Sequence, residues 1–225
     1  MGLRAACYRL SSEQHSAVFL LFPMIHIGTS EYYRDVCSRL SECDVALFEG
    51  VNSFRTRLLT TSYRWVAKRA RLNLVTQAQG LKLADLSLRL VHADVTGREF
   101  EQRWHEIPMA QRVALMCLSP IYGLWLYLTA SRESLGKYLG LEDIPSRDTT
   151  LRQERMPGFE HAFLGSRDRK LVSCLDEVMH PRGVSQTIAV VYGAAHMHSV
   201  IHHLMAERNY QISSCNWITV MGYEE

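Results

Sequence analysis

TIAVVYGAAHMHSVIHH, residues Thr187 to His203, is the stretch whose reading decides the fold. Its first six residues form an apolar, β-branched run of strand length. Gly193 breaks that run, and a helical pattern begins at about His196. A strand, a tight turn and a helix in that order place one side chain at the carboxyl end of a strand and near a helix N-terminus, where open α/β sheets bind ligands. His196 occupies that position.

Toward the N-terminus, Ala5 to Leu10 and Ser16 to Ile25 read as two strands joined by the polar turn SSEQH, a starting hairpin. The run AVFLLF is apolar on both faces, as a central strand requires, and Pro23 near its end has no N–H to donate, so pairing should loosen there. His26 follows where this strand stops. Gly28 marks a turn and Thr29-Ser30 an N-cap, and Ser30 to Leu40 carries Tyr33, Val36, Cys37 and Leu40 at amphipathic helical spacing. DVALFE, Asp44 to Glu49, is the next buried strand. Strand, helix and strand make a right-handed crossover, so the two strands should be parallel and share a carboxyl end. Adjacent strands are only ~4.8 Å apart, so His26 and Glu49 are expected to meet over the sheet edge. A carboxylate closing an otherwise apolar strand is costly alone; Glu49 needs a partner, a metal or solvent.

From about Asn52 to Gly165 the pattern changes to long helices, read as a helical insertion between two halves of the sheet. Within it, Leu72 to Gln77 suits a short strand. Thr96 with Glu99 three residues on forms a capping box, which places His92 and Asp94 on the loop before a helix. A lone loop histidine is ordinarily a surface residue; His92 is carried as a candidate substrate contact. Arg55, Arg57, Arg64, Lys68, Arg69 and Arg71 cluster among Leu58, Tyr63 and Trp65, which reads most simply as a solvated helix face. Val113 to Ser131, VALMCLSPIYGLWLYLTAS, holds no charged residue and approaches the ~20 apolar residues that span a bilayer. Pro120, Gly123, Ser119 and Thr129 favour instead a helix buried in a domain or dimer core, or one lying on a membrane surface.

Asp143 to Gly158 reads as a loop returning to the core. Ser166 is an N-cap for a helix from Arg167 to about Met179, with Leu171, Cys174, Leu175 and Val178 on its apolar face and Pro181 and Gly183 ending it. After the opening stretch the helix continues to about Glu207, and Tyr210 to Met221 is a terminal strand with a hairpin at Ser213-Ser214.

These elements give an α/β class: a mixed, mostly parallel sheet flanked by helices, in one domain with its insertion at about residues 52–165. The chain's 225 residues and 47% hydrophobic content suit such a domain. With 25 basic against 23 acidic residues, the overall field gives no argument for nucleic acid. Six scattered cysteines without a CxxC pair look like reduced thiols of a cytoplasmic protein, and MGLRAACYRLSSEQH lacks the apolar core of a secretory signal.

His26 ahead of Gly28, the DVALFE strand ending at Glu49, the helix opening Arg167-Asp168, and Gly193-Ala194-Ala195-His196 resemble the motifs of the TraB/Tiki/GumN superfamily. Its members share a strand ending GxxH, a second ending in Glu, an Arg-Asn or Arg-Asp pair opening a late helix, and a second GxxH before a helix. The resemblance covers roughly Ser16 to Val51 and Gly165 to Val220, and departs at Pro23, where the family has glycine. It implies a fold like the erythromycin esterase and ChaN proteins and, for Tiki-like members, metal-dependent peptide hydrolysis with two histidines and the glutamate at the site.

The chemistry of the residues runs in the same direction. Two imidazoles and a carboxylate suit a divalent ion such as Mn, Co or Zn, and His26, Glu49 and His196 would be its ligands, polarising water for attack on a carbonyl of a peptide or of a small ester or amide. Without a metal, Glu49 serves as general base with a histidine partner. Arg167 is expected to steady a substrate carboxylate or the developing oxyanion, and Asp168 to cap its helix or orient Arg167. A non-catalytic module holding a ligand such as haem or a peptide in the same cleft, as the ChaN resemblance would allow, is the alternative, as is a membrane-associated or dimeric regulatory protein docking through residues 113–131. His198, His202 and His203 lack the glutamate of a zincin pair and take surface or supporting roles.

Overall fold

An antiparallel hairpin opens the chain: β1 (Gly2–Ser11) and β2 (Val18–Met24) pair with Tyr8 opposite Leu21 and Leu10 opposite Phe19. In this computed structural model residues 1–51, 53–142, 165–179 and 185–223 are described; the expected loop at 143–158 and the helix-ending Pro181 and Gly183 lie outside them. After β2 come β3 (Ile27–Gly28), α1 (Ser30–Leu40) and β4 (Val45–Phe48). Thr29 caps α1, its Oγ1 accepting from the Tyr32 N–H at 3.3 Å, and the helix buries Tyr32, Tyr33, Val36 and Leu40 on one face. Next are α2 (Phe54–Leu59), α3 (Thr61–Ala67), β5 (Val75–Thr76), α4 (Gln77–Gly80), β6 (Arg89–His92), α5 (Gly97–Trp104), α6 (Met109–Thr129) and α7 (Arg132–Glu142). The last part holds α8 (Ser166–Met179), β7 (Thr187–Gly193), a 3-10 turn at Ala194–His196, α9 (Met197–His202) and β8 (Gln211–Gly222).

Six strands form one mixed sheet in the order β6-β4-β7-β2-β1-β8. The four strands β6, β4, β7 and β2 are mutually parallel, and β1 and β8 continue the sheet antiparallel. The α/β class with a mostly parallel sheet is thus the one read from the sequence, and α2 to α7 lie within the residues read as the insertion. Three details differ. β7 lies between β2 and β4, so the strands carrying His26 and Glu49 are parallel but not adjacent. The segment 52–165 is not wholly helical, because β6 within it is an edge strand of the main sheet. The terminal strand is not hairpinned at Ser213-Ser214: β8 runs unbroken against β1. Pro23 loosens one side only. Pairing with β1 stops at Leu21, whereas parallel pairing with β7 continues to Met24 opposite Gly193.

Alternation along the parallel strands builds a core on each face of the sheet. Phe19, Leu21, Val45, Leu47, Ile188, Val190 and Tyr192 pack with Leu171, Cys174, Leu175 and Val178 of α8 and with Met197 and Val200 of α9. Ala46, Ala189 and Val191 face the other way, onto α1, α3, α6 and α7. The apolar face of α8 is the one its sequence spacing prescribes. Ser166 is the first helical residue of α8, one position inside the expected cap. α6 is a single helix through Pro120, long and apolar enough to cross a membrane, and only 11% of its most apolar window is buried. It packs on α3 where Gly123 meets Ser62; a Cβ at Gly123 would stand 3.0 Å from the Ser62 Cα.

Candidate active site

Each of the four parallel strands ends beside a polar residue, and the sheet order sets their sequence in space. Asp94 follows β6, Glu49 follows β4, His196 follows β7 and its turn, and His26 follows β2. With β7 between them, His26 and Glu49 stand two strand intervals apart, about 10 Å of sheet width, so they do not meet directly. Gln77 spans the gap. The short pairing of β3 with β5, with the Gln77 N–H donating to the His26 carbonyl at 2.9 Å, brings Gln77 alongside His26. The His26 Nδ1 lies 3.3 Å from Gln77 Oε1, and the Gln77 amide nitrogen donates to Glu49 Oε1 at 3.5 Å. For both bonds to hold, His26 must donate from Nδ1, leaving Nε2 as its acceptor.

Arg167, in the first turn of α8, closes the other side of Glu49. Its Nη2 donates to Glu49 Oε2 at 3.3 Å and to Asp94 Oδ2 at 2.7 Å, and its Nε donates to Asp94 Oδ1 at 2.8 Å. Asp94 also accepts from the backbone N–H groups of Gly50 at 3.0 Å and Val95 at 2.8 Å. The Asp94 side chain is 0% exposed, Glu49 9% and Arg167 19%. Burial by itself would raise the Asp94 carboxyl; the Arg167 hydrogen bonds and charge, with the two N–H donors, outweigh it and hold Asp94 below the ordinary carboxylate range. Burial would likewise lower Arg167, and Asp94 and Glu49 push it up instead, so it stays a cation. The Arg167 guanidinium also stacks over Tyr192, 5.5 Å from the ring centroid. Its Nη1 has no hydrogen-bond partner among the described residues.

His196 is buried, 4% exposed, edge-on to Tyr192. Asp168, one residue after Arg167, faces it from α8: Asp168 Oδ1 lies 2.5 Å from His196 Nδ1, and Oδ2 accepts from the Ser199 hydroxyl at 2.6 Å. The Arg-Asp pair therefore divides its work, Arg167 serving Asp94 and Glu49, and Asp168 serving His196. Capping the helix and orienting Arg167, the two roles expected of Asp168, are not the contacts it makes. With Nδ1–H directed at a carboxylate, the imidazole keeps Nε2 as an acceptor, without a partner among the described residues. Gly193 lies between Glu49 and His196. A Cβ placed there would stand 3.2 Å from Glu49 Oε2 and 3.6 Å from His196 Cδ2, so the carboxylate and the imidazole edge converge on the space that the missing side chain leaves.

A cavity of about 900 Å³ opens over the Glu49 side of this edge, lined by His26, Glu49, Gln77 and Arg167 from the sheet side and by α2 and α3 opposite; the buried His196 is not among its lining residues. His92 is exposed and does not itself line the cavity; it lies 2.8 Å from the Gly50 carbonyl with its ring against Phe48, two residues that do. His198 and His202 are exposed neighbours on α9, whereas His203 is buried between Asp176 and Glu207 on the far side of that helix. Sequence reasoning missed Gln77 and the part Asp94 plays. The signal for Asp94 was present: an acidic residue directly after the strand-length run RLVH, as Glu49 follows VALF.

A divalent ion would need His26, Glu49 and His196 to point at one position with bonds near 2 Å. Gln77 stands between His26 and Glu49, and the Arg167 guanidinium already holds the cation position beside Glu49. Among the described residues no group of three His, Cys, Asp or Glu side chains is placed to hold a metal ion. The arrangement fits acid–base chemistry at a carboxylate–imidazole pair. Comparison with family models, with curated proteins and with solved structures finds no match to this chain.

Proposed function

We propose that the chain is a hydrolase of an ester, amide or peptide bond that uses a water molecule activated by His196. The convergence of Glu49 and the Asp168-oriented His196 on the space over Gly193 carries this reading. Asp168 holds the Nδ1–H tautomer, so Nε2 takes a proton from water as the oxygen bonds to the carbonyl carbon. Glu49, fixed by Gln77 and Arg167, anchors the water and stabilises the imidazolium that forms. Nη1 of Arg167, without a partner among the described residues, donates to the carbonyl oxygen as charge develops on it. The imidazolium then returns its proton to the leaving oxygen or nitrogen as the scissile bond breaks. The divalent-metal form of this reaction asks for a ligand set that the His26–Gln77–Glu49 bridge and the Glu49–Arg167 pair do not favour.

A library of ester, amide and peptide probes incubated in ¹⁸O-enriched water tests the reading, with heavy oxygen in the product acid as its signature. Asp168→Asn and Glu49→Gln should each lower kcat/KM by roughly 10²-fold or more, the contribution of a positioned acid–base group, without loss of folded protein. Turnover at wild-type rate in both variants would sink it. Metal content of the purified protein is measured alongside; a stoichiometric ion lost in Glu49→Gln would restore the metal-dependent form.

A second reading concerns association. Leu118, Ile121, Trp125 and Leu128 are exposed along α6 with spacings of three, four and three residues, the seam of a paired helix. Pairing with a second copy of this chain would cover it, and detergent-dependent recovery from membranes is the competing outcome.

A further inference from the structure

We propose that the substrate is an anion, an ester or amide that also carries a carboxylate or phosphate group, and that Arg64 and Lys68 of the helical wall bind that group. This rests on the hydrolase reading of the Glu49–His196 edge and names the substrate class for the same cavity.

The argument starts from how α3 lies. Ser62 and Val66, four residues apart, are buried, with Ser62 against Gly123 of α6, which fixes the rotation of the helix. Thr60, Tyr63, Arg64, Ala67 and Lys68 therefore fall on the opposite face, and all five line the cavity. The basic run that reads in sequence as one solvated face is divided by the fold. Arg55 leaves it for an ion pair with Glu101 and a position over Trp104. Arg69 donates to the Ala130 carbonyl at 2.8 Å. Arg64 and Lys68, at i and i+4, form no ion pair among the described residues, and they project on the cavity side.

Charge around the cavity is unbalanced. Leaving aside Arg57, which is engaged in an interaction of its own, its described lining carries Arg64, Lys68 and Arg167 against the single carboxylate of Glu49. Arg167 is neutralised by Glu49 and by Asp94 beneath it, so the excess positive charge belongs to the α2–α3 wall. Cations concentrated on one wall of a partly enclosed site raise the local concentration of anions and bind oxyanions with charge-assisted hydrogen bonds. Between these charges the lining mixes polar residues such as Thr60, Thr76 and Gln79 with Leu59, Leu81 and Phe48, and the latter accept a hydrocarbon or aromatic body. A volume of about 900 Å³ is at the large end of the ~300–1,000 Å³ usual for small-molecule sites. The occupant this describes has an acid group on α3, an apolar middle and a carbonyl beside Glu49.

The test has a binding arm and a turnover arm on the full chain. N-phenylsuccinamate and phenyl phosphate are the anionic probes, and N-phenylbutyramide is the neutral match for the first; all three are titrated calorimetrically. At low salt either anion should bind at least tenfold more tightly than the neutral amide, with the advantage shrinking as ionic strength rises. Which anion binds more tightly distinguishes a carboxylate from a phosphate substrate. The double variant Arg64→Gln/Lys68→Gln should bring the advantage close to one, and Arg64→Lys/Lys68→Arg, which keeps both charges, should retain most of it. For turnover, the 4-nitrophenyl monoester of succinate is compared with 4-nitrophenyl butyrate, and the same charge preference should appear in kcat/KM. Equal affinity for charged and neutral probes, or an advantage untouched by the glutamine variants, overturns the proposal. Anion binding without any turnover retains the anion site and refutes the hydrolase; turnover without charge preference does the reverse.

Discussion

Replacing Asp94 tests the ion network beneath the cavity without requiring knowledge of the substrate. The two carboxylate oxygens accept four hydrogen bonds: Oδ1 from Val95 N–H and Arg167 Nε, and Oδ2 from Gly50 N–H and Arg167 Nη2. Asp94→Ala strands two backbone donors and leaves a mostly buried guanidinium whose one remaining hydrogen bond among the described residues is the 3.3 Å contact to Glu49. Breaking one side of a buried ion pair costs about 3–5 kcal/mol, and because Glu49 remains and Arg167 keeps 19% of its side chain exposed, the lower end applies, about 3 kcal/mol. For a chain of 225 residues that corresponds to a fall in melting temperature of roughly 6–12 °C. Asp94→Asn is the sharper variant. Each oxygen faces two donors, so whichever way the amide turns, its nitrogen points N–H groups at N–H groups. It should therefore destabilise nearly as much as alanine despite its matching shape.

The pH dependence has a defined sign. Asp94 titrates lower in the folded chain than in the unfolded one, so the stability it contributes is complete above the unfolded value, ~3.9, and is lost as pH falls through the lower folded value. Urea titrations of wild type and Asp94→Ala from neutral pH downward should converge across that acid window. A wild-type midpoint in Asp94→Asn, or a loss below about 1 kcal/mol in Asp94→Ala at neutral pH, would refute the account of the network as a buried, fully satisfied ion pair.

Gly193→Ala should fold normally, because the residue has φ −51°, open to any L residue, yet lower turnover at least tenfold by displacing Glu49 from the 3.2 Å position; a wild-type rate would remove the Glu49–His196 convergence from the mechanism. Gln77→Leu removes both arms of the His26–Glu49 bridge, and since each bond is long, at 3.3 and 3.5 Å, we expect a loss of about tenfold in kcat/KM with the melting temperature little changed, as read by steady-state kinetics and calorimetry. Changing Leu118, Ile121, Trp125 and Leu128 together to Ser should convert a self-associating chain into a monomer in sedimentation velocity. A wild-type chain that is already monomeric without detergent would show that α6 has no such partner.

What the sequence made legible follows from how each strand is buried. β2, β4 and β7 are covered on both faces, so their runs are apolar at nearly every position and stand out without context. β6 is an edge strand with Arg89 and His92 exposed, and RLVH carries no such pattern. Its assignment to a helical insertion, and the neglect of Asp94 at its end, share that cause. The order of the strands is a separate matter. A right-handed crossover establishes that β2 and β4 run parallel, and this holds; it is silent about whether a strand arriving 140 residues after β4 begins will enter between them. Long-range insertion of this kind leaves no trace in local spacing.

That insertion also explains why the site is built as it is. Had β2 and β4 been neighbours, His26 and Glu49 would be in direct reach and their strands would need nothing between them. With β7 in the middle, the chain must cross a full strand width at the carboxyl edge. It does so with the one residue type that adds no side chain there, Gly193, and with a glutamine brought over the top by the β3–β5 pairing. The same central strand carries His196 one short turn further on, directly above the N-terminus of α8. One helix start can then serve both halves, Arg167 turning toward Glu49 and Asp94, and Asp168 toward His196. Two acidic strand ends and His196 are thereby coupled through consecutive residues, so a shift of α8 by a single position would uncouple Glu49 from its cation and His196 from its carboxylate at once.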